Sequence, residues 1–392
     1  MANKNYTYAE QIKKEMKKRE HKKNKNSTQY RRNLKSRSRK KNWQNFNEES
    51  WDEIDNISIE RIMPLDENDR KRSVNNNARQ EKNLGSGLTH HKADIAGTVL
   101  EVSTGLCRVG LDGKEILCAI RGSITAQETG YSNAVVVGDQ VLITLQNDGK
   151  GMIESIYPRK SVLARYDSFH HRQQAIVANA DQMLIITSWR NPHIWPELID
   201  RYLIVAQRNH IPAVLCINKI DLAESQEELH AFADIYRALQ VEVLLTSVET
   251  KDGLDSLTEI IKGKNSVLTG LSGVGKSSLL SAVQPGLNLK AKQVSTTSGD
   301  GRHTTTQSNL YSLDIGGAVI DTPGIREFGL NGITHHDLAG FFPEITDYAI
   351  HCRFSDCSHI DEPDCAVKQA INDGMIHESR YHSYQLIMEE LG

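Results

Sequence analysis

Long apolar runs are missing from this chain. Nowhere in its 392 residues do roughly 18 apolar residues follow one another, the length a membrane helix needs, and no apolar stretch near the start reads as a signal peptide. Membrane insertion and export are therefore not expected, and the expected compartment is the cytoplasm. Cysteine is scarce as well. Its six residues are Cys107, Cys118, Cys216, Cys352, Cys357 and Cys365. Three are scattered singly and three crowd towards the C-terminal end, which makes no disulfide framework and fits a reducing compartment. Net charge is also nearly absent, at -3, but that balance conceals an asymmetry.

Residues 1–45 carry 16 Lys/Arg against 3 Asp/Glu, residues 46–82 carry 6 against 10, and everything after residue 82 has a net charge of -12. A basic arm on an acidic body points to a polyanionic partner, because each cation that neutralises a phosphate releases a condensed counterion. The plainer alternative is a solvated tail. Residues 1–88 have few aliphatics and no sustained period, so they cannot bury enough apolar surface to offset ordering entropy. A disordered basic/acidic extension is expected there, with helix-forming composition over 8–23 that suits folding on a partner.

The pattern changes near residue 94. Five short glycine-broken runs, 97–102, 105–110, 115–120, 139–145 and 151–156, predict a small antiparallel barrel over 92–160, of which the oligonucleotide-binding (OB) barrel is the leading form. Basic residues Arg108, Lys114, Arg121, Arg159, Lys160 and Arg165 around it favour an RNA-binding surface. Over 170–333, buried strands at 183–187, 213–218, 241–246, 266–271 and 318–321 alternate with helices such as 226–239 and 277–283. That alternation predicts a parallel sheet with helices on both faces. Residues 334–392 turn His- and Cys-rich, then helical. The expected fold class is thus multidomain β plus α/β, with a helical C-terminal module.

Three motifs fall at the ends of predicted strands. Residues 270–277, GLSGVGKS, fit the P-loop pattern GxxxxGK[ST] between an apolar strand and a helix. The candidate phosphate-binding residues are Gly270, Leu271, Ser272, Gly273, Val274, Gly275, Lys276, Ser277 and Ser278. Backbone N–H groups of such a loop cradle phosphate oxygens, Lys276 reaches the β- and γ-phosphates, and the Ser277 hydroxyl binds Mg²⁺. Residues 218–221, NKID, suit guanine: Asp221 accepts from the guanine edge, Asn218 faces its other side, and the Lys219 stem packs the ring. A site built for such hydrogen bonds rejects the wrong base by about 10⁴ or more. Thr246 and Ser247 form a base-supporting turn. Residues 321–324, DTPG, bring Asp321 to Mg²⁺ and the Gly324 N–H to the γ-phosphate. Thr304, Thr305 and Thr306 lie between, and one of them, with Thr305 as the candidate, completes the Mg²⁺ shell.

The order is informative. NKID precedes the P-loop and DTPG comes last, so the domain reads as a circularly permuted GTPase. After DTPG stands Ile325 in place of a water-orienting glutamine, so slow unaided hydrolysis of GTP is expected, with His303 as the internal catalytic candidate or, alternatively, an RNA contact. Arg302 is a lesser candidate, as a charge stabiliser. Cys352, Cys357, His359 and Cys365 form C-x4-C-x-H-x5-C; three thiolates and one imidazole suit a structural tetrahedral Zn²⁺.

The permuted order, the barrel, GLSGVGKSSL, GRHTTT, DTPG and the Cys/His-rich tail together resemble the RsgA (YjeQ) family of ribosome small-subunit-dependent GTPases, over about residues 92–390. The resemblance implies a late-acting assembly factor that binds the small ribosomal subunit and its rRNA. It also implies hydrolysis of GTP to GDP stimulated by that subunit, and zinc on the cysteine pattern. The rival is an RNA-binding chaperone in which nucleotide is mainly a structural ligand. Nothing in the chain resembles a dimerisation heptad, and a monomer is expected.

Overall fold

The computed structural model describes residues 94–391, apart from 104, 112, 123, 125–130, 147–148, 168–171, 288–307, 323–329 and 331. The expected N-terminal extension and its helix-forming stretch lie outside the described residues, as do Arg302, His303, Thr304, Thr305, Thr306, Gly324 and Ile325.

All five barrel strands are present: β1 (Asp94–Ser103), β2 (Leu106–Leu111), β3 (Lys114–Ile120), β4 (Gln140–Leu145) and β5 (Gly151–Ile156). β1 pairs with β2 and β4, β2 with β3, and β4 with β5, all antiparallel, while β3 and β5 run parallel. The five strands close on themselves in the OB arrangement. Alternate residues point inwards, and Val99, Cys107, Val109, Cys118, Val141, Ile143 and Ile153 form the core. Burial pushes the Cys118 thiol up to about 12. It is raised on Cys107 too, so both behave as small apolar residues.

The basic residues around the barrel are mostly engaged. Arg159 is buried and bidentate on the fully buried Asp139, with Nε to Oδ1 at 2.7 Å and a terminal nitrogen to Oδ2 at 2.8 Å. The same carboxylate accepts from the Val136 N–H at 2.8 Å. Arg159 therefore locks the 134–139 loop onto the barrel and is withdrawn from the candidate RNA surface. Arg108 pairs with Glu101 and Glu115, and Arg121 with Glu154.

A two-stranded hairpin, β6 (Val162–Asp167) and β7 (Arg172–Ala178), follows the barrel. Then come β8 (Gln182–Ser188), α1 (Pro196–Arg208), β9 (Ala213–Asn218), α2 (Gln226–Ala238), β10 (Glu242–Leu245), α3 (Leu254–Ile261), β11 (Asn265–Thr269), α4 (Lys276–Val283), β12 (Asn309–Ser312) and β13 (Ala318–Asp321). The sheet order is β10-β9-β8-β11-β13-β12. The first five strands are parallel and β12 is antiparallel.

Residue alternation sorts the two faces. Met183, Ile185, Leu215, Ile217 and Ile320 pack with Ile199 and Tyr202 of α1 and Leu229 and Tyr236 of α2. Leu184, Ile186, Val214, Cys216 and Val319 pack with Leu257 of α3 and Leu279 of α4. Strands buried on both sides read as continuous apolar runs, which is why they were legible. Pro196 begins α1, where its missing N–H costs nothing, and the Ser225 hydroxyl caps α2 by accepting from the Glu228 N–H at 3.2 Å. β12 pairs with β1 at Asn309 and Glu101, so the GTPase-like sheet runs into the barrel.

The C-terminal module consists of α5 (His335–Leu338), α6 (Pro343–Ala349), α7 (Ala366–Asn372) and α8 (Glu378–Leu391). Phe342, Ile345, Val367, Tyr384 and Ile387 join the α1/α2 face of the sheet in one apolar cluster. Within it lie three charged side chains: Asp200 of α1, Glu344 of α6 and Arg380 of α8. Arg380 pairs with Asp200, and its Nε donates to Glu344 at 2.6 Å. Arg201 of α1 pairs with Glu390 near the other end of α8.

Candidate nucleotide site and metal centre

Parallel strands deliver their C-terminal ends to one edge, where an open α/β sheet places its ligand crevice. β11 ends at Thr269 and the chain enters the loop 270–275 before α4 starts at Lys276. Three glycines of this loop have positive φ: Gly270 (135°), Gly273 (83°) and Gly275 (98°). A Cβ on Gly270 would collide with the Ile186 carbonyl oxygen, and one on Gly275 with the Asn218 amide nitrogen. The glycines are thus required both by backbone conformation and by close approach. Lys276 folds over the loop, its Nζ donating to the Gly270 and Leu271 carbonyls at 3.0 and 2.9 Å. Ser272, Ser277 and Ser278 are exposed at the mouth, while Val274 anchors the loop in the core.

The NKID residues follow β9 and lie against this loop. Asn218 is buried, its Nδ2 donating to the Val274 carbonyl at 2.9 Å while its Oδ1 accepts from the Thr246 hydroxyl at 3.3 Å. Its orientation is fixed from both sides. Lys219, with φ of 60°, stretches across the site so that Nζ donates to the Gly273 carbonyl at 2.7 Å and to the Asn191 carbonyl. Ser247, just beyond β10, is buried and donates its hydroxyl to the Asp221 carboxylate. Asp221 itself is exposed, with its carboxylate held at the rim. An exposed carboxylate backed by a hydroxyl, beside an immobilised amide and an extended lysine stem, forms an acceptor-rich slot for a planar base with adjacent N–H donors.

β13 ends at Asp321, in register with Leu268 of β11, two residues before Gly270. Thr322 is buried and donates to the Leu268 carbonyl at 3.3 Å. The carboxylate of Asp321 and the P-loop thus arrive side by side at the same sheet edge.

Residues 189–195 form the loop between β8 and α1. Here Pro192 approaches Gly273, and the Asn191 carbonyl receives Lys219. No sequence signal marks this contact, because a backbone acceptor leaves no residue preference.

In the C-terminal module, Cys352, Cys357, His359 and Cys365 converge, with all four ligand atoms within 4.8 Å of one another. Cys352 Sγ lies 3.8 Å from Cys365 Sγ, and His359 Nδ1 lies 3.5 Å from each of those sulfurs. A tetrahedral ion with sulfur at about 2.3 Å and nitrogen at about 2.0 Å sets sulfurs about 3.8 Å apart and sulfur to nitrogen about 3.5 Å. The donor set therefore fits a four-coordinate metal ion with no open position.

The chain backs the cluster closely. Against the burial that raises it, the Ser358 and Ile360 N–H groups pull the Glu362 carboxyl down to about 2. Its oxygens accept those groups at 2.7 and 3.2 Å. Tyr381 and Tyr384 donate to the His359 and Ser358 carbonyls at 2.6 and 3.0 Å. Glu362, Tyr381 and Tyr384 were not singled out from sequence.

The fold and the loop at its sheet edge define the class: a circularly permuted P-loop GTPase joined to a β-barrel and a cysteine-rich module. The family model for the RsgA GTPase matches residues 156–331. This chain belongs to the RsgA family. A "Small ribosomal subunit biogenesis GTPase RsgA" from Thermotoga maritima is 39% identical over 281 residues, covering 71% of this chain and 90% of that protein. A protein of the same name from Moorella thermoacetica is 38% identical over 297 residues, covering 76% and 97%. Among solved structures, YjeQ from Thermotoga maritima matches with a TM-score of 0.61 and 35% identity over 76% of this chain and 99% of that one. YloQ, described as a circularly permuted GTPase, matches with a TM-score of 0.57 and 31% identity over 78% and 98%.

Proposed function

We propose that this protein hydrolyses GTP to GDP and phosphate on the small ribosomal subunit, assisting its late maturation, and that the subunit stimulates the reaction. One observation carries the reading. The Ser247-backed Asp221 carboxylate, the Asn218 amide tied to Val274 and the Lys219 stem tied to Gly273 form a single hydrogen-bonded unit with the phosphate loop. In this assignment the base and the phosphates of one nucleotide span that unit. Asp221 accepts from the guanine edge, while the 270–278 loop and Lys276 receive the phosphates. Lys276, now on the loop carbonyls, turns to the β- and γ-phosphates.

Ser277, Thr305 and Asp321 are the residues assigned to hold Mg²⁺, which neutralises charge on the transferred phosphoryl group. His303 and the Gly324 N–H are assigned to the γ-phosphate side. The cysteine module is assigned one structural Zn²⁺, since three thiolates suit that ion. The 92–160 barrel and the 334–392 module would grip rRNA, with the 1–88 extension preceding them as a basic arm. The protein is assigned to the cytoplasm, as a monomer. Among the described residues no helix is long and apolar enough to cross a membrane. The relatives from Thermotoga maritima and Moorella thermoacetica are named GTPases, which favours this reading over a chaperone with an incidental nucleotide.

The experiment is GTP turnover by the purified protein at fixed salt and Mg²⁺, alone, with small subunits and with large subunits. Stimulation by small subunits only is the expected result. Tight GTP binding without stimulation would sink the proposal.

A further inference from the structure

Asp200, Arg380 and Glu344 are buried where the C-terminal module meets the nucleotide-binding domain. Their side chains are 0%, 4% and 13% exposed. Each comes from a different helix: Asp200 from α1, Glu344 from α6, Arg380 from α8. The guanidinium lies 4.5 Å over the Phe342 ring and 5.9 Å from that of Tyr236. Two carboxylates therefore share one cation inside an apolar cluster, and Glu344 Oε2 is buried without a hydrogen-bond partner.

Such an arrangement is a poor source of stability. Desolvating three charges offsets most of their attraction, and well-packed apolar residues often serve as well or better. What the charges add is direction. Apolar burial is non-directional, so the contact of Tyr384 and Ile387 of α8 with the cluster holding Ile199 and Tyr202 of α1 does not by itself select one register. A single guanidinium fixed to one carboxylate on α1 and one on α6 permits one register.

The anchor of this register is also tied to the nucleotide site. α1 starts directly after the 189–195 loop, whose Asn191 carbonyl receives Lys219 and whose Pro192 approaches Gly273. Asp200 is the fifth residue of that helix.

We propose that the Asp200–Arg380–Glu344 cluster is a registry pin that fixes the pose of the C-terminal module on the nucleotide-binding domain. Arg380 is thereby a positioning residue for subunit-stimulated hydrolysis. The second half rests on the function proposed above; the first does not.

Two variants separate pinning from folding. Arg380→Met leaves two carboxylates unpaired and lowers Tm by roughly 10 °C. The triple variant Asp200→Leu/Arg380→Met/Glu344→Leu replaces all three charges by apolar groups and returns Tm to within a few degrees of the parent. Spin labels carried on unnatural amino acids at the exposed positions Glu227 and Met375, with all six cysteines untouched, report the pose as a distance distribution. In the triple variant this distribution broadens. Basal GTP turnover stays unchanged, and stimulation by small subunits falls by at least about tenfold, the scale of coupling between linked sites.

A parent-like narrow distribution in the folded triple variant overturns the pin. A broad distribution with full stimulation overturns the positioning role and leaves the pin standing. Absence of stimulation in the parent protein refutes the proposed function, while the distance measurement still decides the pin.

Discussion

At the scale of single residues, the nucleotide site is a set of side chains whose freedom has been removed by neighbours. Asn218 is held at both ends of its amide and Asp221 by a buried hydroxyl. Base choice should follow from the acceptor character of Asp221. Asp221→Asn exchanges an acceptor for a donor, so preference should move from GTP to xanthosine triphosphate by about 10²–10⁴. Competition binding with the two nucleotides measures this, and an unchanged preference refutes the assignment. GLSGVGKS and NKID were legible because their spacing is local and each residue type is dictated by a chemical duty. Asp200, Arg380 and Glu344 were not. Asp200 and Arg380 lie 180 positions apart in the chain, and a pairing across that separation leaves no period in the sequence. Arg159 was misread for a related reason, since its charge was visible and its partner Asp139 was not.

At the scale of elements, strands that repeat a simple burial pattern were easy to read and polar ones were not. The hairpin β6–β7 escaped because Arg165, Tyr166, Gln173 and Gln174 interrupt its apolar positions, and four-residue β12 is too short to show alternation. The central strands carry a pH-dependent feature. Burial pushes the Cys216 thiol of β9 up to about 12 from 9.0, against a Thr246 hydroxyl that pulls it down. A raised value favours the neutral thiol, so its contribution is whole below about pH 9 and lost as pH rises towards 12. Cys216→Ala should therefore unfold with a shallower alkaline dependence than the parent in denaturant melts taken at pH 8 to 11. Equal slopes would refute this.

The cysteine-rich segment makes a second prediction. α6 and α7 are seven residues each, too short to be stable alone, so the ion should supply much of their stability. One equivalent of zinc is expected by metal analysis, and Cys365→Ser should abolish it and lower Tm by several degrees or more. Stoichiometric zinc in that variant would exclude these ligands.

At the scale of the whole molecule, the permuted order was the most informative reading available from sequence, since it depends only on where motifs fall. The way the barrel fuses with the sheet was hidden, because one antiparallel pairing between Glu101 and Asn309 carries it. The permutation also has a consequence in time. β8 and β9 are made early, but β11, which covers the other edge of β8 along Met183–Ile185, comes some 80 residues later in the chain. At roughly 5–20 residues per second, a growing chain spends several seconds with the edge of a strand that is buried on both faces still uncovered. The nucleotide cannot shield it, since its phosphate loop has not yet been made. For this protein the most hazardous moment of synthesis lies in the middle of the chain, between the base-reading segment and the phosphate loop.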